Sequence, residues 1–226
     1  MTQTSVETFN VSVFHRLTGS NKVQLYASHH ARPDLSQYKK QAKDLVKTFD
    51  SQDPAAALRI RQYHPRFRKL IDAQMFATPF SLADAQLTIA REHGFESWPK
   101  FAKHIQALSR EESAVARFET AVEAIVAGDL ITLKQLLRGD PGLVQERSTR
   151  EHRATLLHYV AANGIEDYRQ KSPQNAALVA DTLIKGGAEV DATLADGSST
   201  TLGLVASSIH PKRSGVQVEL METCYP

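Results

Sequence analysis

Nine histidines in 226 residues raise the question of metal or acid–base chemistry first. Two imidazoles one helical turn apart, as in H-x-x-x-H or H-E-x-x-H, would present two nitrogen ligands to one ion. His29 and His30 are adjacent in sequence, and His64, His93, His104, His152, His158 and His210 show no such spacing. No metal site and no cofactor are therefore expected. The chain also lacks a G-x-S-x-G elbow, a Walker glycine loop and a G-x-G-x-x-G run, so hydrolase and nucleotide signatures are absent and catalysis is not expected. One segment has chemistry of another kind. Arg59 to Lys69 interleaves five cations with Tyr63 and Phe67, a pattern suited to neutralising phosphates and stacking on bases. A solvated helix face with its two aromatics turned into a helical core predicts the same string and is the preferred reading, with nucleic-acid binding through 59–69 kept as an alternative.

The elements that would carry these residues follow from the apolar pattern. Residues 8–17 alternate apolar with polar, Thr18 to Asn21 reads as a turn, and Val23 and Leu25 resume the alternation, so a small N-terminal hairpin is expected within an extension over 1–33. His29 to Pro33 reads as a linker. From Asp34, an N-cap, Leu35, Tyr38, Ala42, Leu45 and Phe49 form one helical stripe. Asp53-Pro54 starts a second helix that carries Leu58 and closes at His64-Pro65, and another is expected through Leu70 and Ile71. Ser81 and Asp84 form a capping box, opening a helix with Leu82, Ala85, Ile89 and Ala90 inward and Gly94 at its end. Ser97 caps a last helix whose stripe is Trp98, Phe101, Ile105 and Leu108. The fold class is mostly α, with a helical bundle over 34–110 whose core includes Leu45, Leu87, Ile89, Trp98, Phe101 and Ile105.

Composition excludes little beyond this. No run of about 18 apolar residues could span a bilayer, and residues 1–10 lack a basic start and an apolar core, so a cytoplasmic protein without a membrane partner is expected. The single cysteine, Cys224, agrees with a reducing compartment and reads as an incidental tail thiol. Net charge is +2 but uneven: residues 1–110 hold 16 Lys/Arg against 9 Asp/Glu, and residues 111–226 hold 11 against 16.

Internal repetition changes the reading of the second half. Thr155-Leu156-Leu157-His158-Tyr159-Val160-Ala161-Ala162-Asn163-Gly164 resembles the ankyrin run T-P-L-H-x-A, and Ala177 to Ala192 resembles the second ankyrin helix, its glycine stop and the following arm. A second copy begins at Thr200, where Thr200, Leu202, Val205 and Ala206 match Thr155, Leu157, Val160 and Ala161 at an offset of 45. The family repeat is about 33 residues, so roughly a dozen are inserted, around Ile165 to Ala176. Phe118, Ala121, Ile125 and Gly128-Asp129 look like a degenerate earlier repeat. Residues 80–108 resemble a helical segment often found ahead of ankyrin repeats in bacterial proteins. The family proline is Leu156 here and Thr201 in the next copy, and the family histidine, kept as His158, is replaced by Gly203.

The resemblance implies a short ankyrin array, an α-solenoid, over 111–226 with its last repeat incomplete, and a non-catalytic protein-binding role on the turns and inner helices. It implies a structural His158 bonded to nearby backbone. Its recognition positions fall on Glu151, His152, Ala154, Ala162 and Asn163, then on Asp196, Gly197, Ser199, Ser207 and Ser208. Few of these are large, and interface energy concentrates in Trp, Tyr and Arg, so Tyr168 and Arg169 on the insertion join the partner-binding set. The partner is an unidentified protein. A second alternative is an enzyme or small-ligand binder with a pocket between the two halves. The truncated last copy predicts an apolar edge at 200–226 that a second copy of the chain, a partner or a fold-back of the tail must cover.

Overall fold

Three of the four start signals read as caps hold a helix end by a side-chain bond, whereas Ser97 precedes its helix without one. Asp34 Oδ1 accepts from Ser36 N at 2.8 Å, opening α1 (Leu35–Asp50), and Asp53 Oδ1 accepts from Ala55 N at 2.8 Å, opening α2 (Pro54–Tyr63). A short α3 (Asp72–Phe76) follows. At α4 (Leu82–Glu92), Ser81 N donates to Asp84 Oδ2 at 2.8 Å while Asp84 N donates to Ser81 Oγ at 3.2 Å, the reciprocal capping box. Then come α5 (Trp98–Leu108), α6 (Ala114–Ala127), α7 (Leu130–Gly139), a 3-10 helix over Leu156–Ala161, α8 (Ala176–Lys185), α9 (Thr201–Ser207), α10 (Ile209–Arg213) and α11 (Gln217–Thr223). These come from a computed structural model that describes residues 34–110, 112–162 and 169–225, which belong to one mostly helical unit. The hairpin and linker expected over 8–33 lie outside the described residues.

In the N-terminal half, α1, α2 and α5 pack on α4. Leu45, Ile89, Phe101 and Ile105 are buried, as the stripes require, and Trp98 lies against that core half-buried. Three expectations need correction. Leu82 sits at the first position of α4 beside its cap and is 42% exposed, with Ala85 taking the inward place. Leu87 is half-buried, outside the core that Thr88, Ile89 and Ala90 complete. Ile71 is the residue before α3 rather than part of a helix; Leu58 does lie on α2, on its exposed side, with Ala56, Ala57 and Ile60 as the buried positions.

The C-terminal half is organised around the 3-10 helix. All six of its residues are buried, because α6, α8 and α9 pack on it from different sides. Its end and the end of α6 are held alike by a later element. Asn175 Nδ2 donates to Gly128 O at 2.9 Å, and Ser208 Oγ donates to Ala162 O at 3.0 Å. Gly128 closes α6 at φ +70° in contact with Asn175, and a Cβ there would collide with the Asn175 side chain. At the C-terminus α11 packs on α8 and α9, which buries Leu204, Val216 and Leu220 without a second chain. Residues 216–224 thus close the apolar face of α8 and α9 from within the chain. Cys224 belongs to this core rather than to a loose tail: it is fully buried, and burial pushes its thiol up to about 11.

Candidate functional site

Two loops of the C-terminal half share one backbone pattern. Arg147 pairs with Thr155 and Thr193 with Thr200 in isolated antiparallel bridges. Inside each, Ser148 N donates to Ala154 O at 2.8 Å and Leu194 N to Ser199 O at 3.1 Å. The loops are also tied to each other, because Ala195 N donates to His152 O at 2.9 Å and Arg147 Nη1 donates to Thr193 O at 2.8 Å. The row extends into the N-terminal half, where Glu151 N donates to Gly94 O at 2.9 Å in the turn between α4 and α5. Three turns therefore line up edge to edge, held by a main-chain bond at each junction and by the Arg147 side chain between the two loops.

Of the residues expected to meet a partner, Glu151, Asp196, Gly197 and Ser207 are exposed, and His152 and Ser199 are half-exposed. His152 is held in place, its Nδ1 accepting from Ala154 N at 3.0 Å. Asp196 accepts from Ser198 N at 2.9 Å, and that bonding with Ser198 lowers its carboxyl pKa. Ala154, Ala162 and Ser208 are buried and support the loops from beneath. Asn163 and Tyr168 lie outside the described residues. Arg169 is buried too, with its guanidinium on Glu119 Oε2 at 2.7 Å and on Glu123 Oε1 at 2.7 and 3.0 Å.

That arginine is one part of a buried ionic cluster which the sequence did not disclose. Arg150, from the first loop, pairs with Glu119 on α6, lies over the Phe95 ring at 5.6 Å, and is only 5% exposed. Burial alone would raise the Glu119 carboxyl, but Arg150 and Arg169 outweigh it and hold the pKa below the ordinary value. Beside this cluster His104 Nδ1 shares a hydrogen bond with Thr149 Oγ1 at 2.7 Å, joining α5 to the same loop. His158 is fully buried, its Nδ1 accepting from Thr155 N at 3.2 Å. Burial lowers its pKa to about 4, against the opposing pull of the Ser199 and Ala192 backbone.

Between α5 and the first loop lies a groove of about 470 Å³, lined from both halves. Its lining combines the cations Lys100, Lys103 and Arg153 with Thr149 and the apolar side chains of Phe95, Ala107 and Val115. The basic segment 59–69 is organised differently. Arg59 pairs with Glu92, Arg61 with Asp72 and Arg66 with Asp84, while Phe67 is buried and Tyr63 half-buried. Among the described residues no three His, Cys, Asp or Glu side chains group to hold a metal, and no helix is long and apolar enough to cross a membrane. Comparison with protein-family models, with curated proteins and with solved structures found no match for this chain.

Proposed function

We propose that residues 113–225 are a short ankyrin-type array that binds a protein partner through its row of loops. The observation that carries this reading is the repeated hairpin: Thr193 follows Arg147 by 46 positions and Thr200 follows Thr155 by 45, so one edge of the loop recurs at the offset read between the two sequence copies and the other within one residue of it. The inner elements support it as well, since Thr155 and Thr200 both precede an inner helix that packs against an outer one, α8 or α11. Such stacking exposes loop tips and inner-helix surfaces on a rigid support, an arrangement suited to holding a partner. The residues that would touch it are Glu151, His152, Asp196, Gly197, Ser199 and Ser207. Nucleic-acid binding through 59–69 has less support, because three of its five cations already serve carboxylates of the bundle.

The test is affinity capture with the whole chain, run beside a Glu151→Lys, Asp196→Lys variant and a Val218→Asp control on the 70%-exposed face of α11. A protein retained by the wild type and the control but lost from the loop variant is the expected outcome. A captured protein indifferent to the loop substitutions would overturn the reading, as would capture of none.

A further inference from the structure

We infer that the groove between α5 and the 149–153 loop receives an acidic peptide segment of the protein partner, with Lys103 and Arg153 binding its carboxylates. This rests on the protein-binding reading above and names the chemistry of the partner. The charge arrangement is the first argument. The two acids on the groove are already engaged, Glu96 by Lys100 and Glu151 by Arg91 at 3.7 Å, and Arg150 is committed to Glu119. Lys103 and Arg153 are exposed and have no ion-pair partner among the described residues. The groove therefore presents two uncompensated cations together with the apolar side chains of Phe95, Ala107 and Val115. A peptide alternating acidic and apolar side chains complements both.

The backbone supplies a second, independent argument. Arg153 adopts φ +51°, in the left-handed region that a non-glycine residue occupies at a cost. In the neighbouring loop the left-handed residue is Gly197, at φ +69°. An arginine held in a conformation that glycine would occupy freely puts a cation on the groove rim at the expense of local stability, which is the pattern found at binding sites.

The probe is a fluorescein-labelled peptide alternating Glu with Leu, followed by anisotropy against the full chain, with a Gln-for-Glu peptide as the neutral comparison. The Glu peptide should bind and the Gln peptide should bind at least about tenfold more weakly. Lys103→Glu and Arg153→Gly should each weaken the Glu peptide several-fold, and Val218→Asp, on the exposed face of α11, should leave it unchanged. Arg153→Gly suits the left-handed backbone, so misfolding cannot explain its loss of binding. Equal binding of both peptides, or equal loss in Val218→Asp, would overturn the inference. So would displacement of the probe by citrate at stoichiometric concentration, which would mark a small-carboxylate site. Failure of the Glu peptide to bind while loop-dependent capture of a protein persists refutes the groove alone. Loss of loop-dependent capture with the peptide still bound refutes the array reading alone.

Discussion

Five phenylalanines, Phe49, Phe67, Phe80, Phe95 and Phe101, fill the core of the N-terminal half, whereas the core of the C-terminal half is built from alanine, valine and leucine around Phe118 and Tyr159. Several of the rings meet at angles, as Phe49 and Phe67 do with centroids 6.1 Å apart and Phe67 and Phe80 at 5.5 Å. Rings of this size fill irregular gaps between helices that cross in different directions. The C-terminal half buries more polar groups, among them Glu119, Arg150, Arg169, His158 and Ser208. One half is specified by volume and the other by partners. A volume can be filled in more than one way, but a buried charge or imidazole accepts few substitutes.

Substitutions in the two halves should separate these modes. The largest effect is expected at Glu119, whose loss strands Arg150 and weakens the hold on Arg169: Glu119→Ala should destabilise by about 3–5 kcal/mol in urea unfolding. A loss under about 1 kcal/mol would show that the cluster carries no such weight. Next comes pH. The folded His158 has its pKa lowered from 6.5 to about 4, so its contribution is complete above 6.5 and declines as pH falls through this window, while only the unfolded imidazole is protonated. The decline amounts to about 3 kcal/mol by pH 4, and His158→Gln should flatten the slope of stability against pH. His64 is shifted in the same direction by burial and supplies the slope that remains. In the ring-packed half, the fully buried Met75 tests tolerance of shape: Met75→Leu should cost less than about 1.5 kcal/mol. The smallest effect has the opposite sign. Arg153→Gly relieves a left-handed arginine but frees the unfolded chain, so a gain of about 0.5–1 kcal/mol is expected by thermal unfolding.

What the sequence made legible was what is local. Asp34, Asp53 and Ser81 are readable as caps because each bonds an amide two or three positions away. Phe101 and Ile105 are readable as core from a stripe within one helix. The offset between Thr155 and Thr200 is visible because the fold repeats its backbone pairing there. The Glu119–Arg150 pair spans 31 positions and His104–Thr149 spans 45, and no periodicity relates their members. Arg169 was singled out as a large side chain on a polar insertion, but exposure follows from what packs over a residue, and here Glu119 and Glu123 draw the guanidinium inward. Lys103 and Arg153 went unnoticed for a related reason. A groove belongs to two surfaces, and neither α5 nor the first loop shows half of one.

The buried thiol of Cys224 gives the folded-back tail a kinetic signature. With its pKa raised to about 11, roughly one molecule in ten thousand would carry a thiolate at neutral pH even if a reagent could reach it, and the closed tail keeps reagents away. Alkylation must wait for α11 to lift from α8 and α9. When reclosing outpaces chemistry, the labelling rate of this one sulfur is the reaction rate of an open thiol multiplied by the fraction of time the tail is detached. The chain thereby carries its own clock for the opening of its last helix, readable under native conditions and separable from unfolding of the whole.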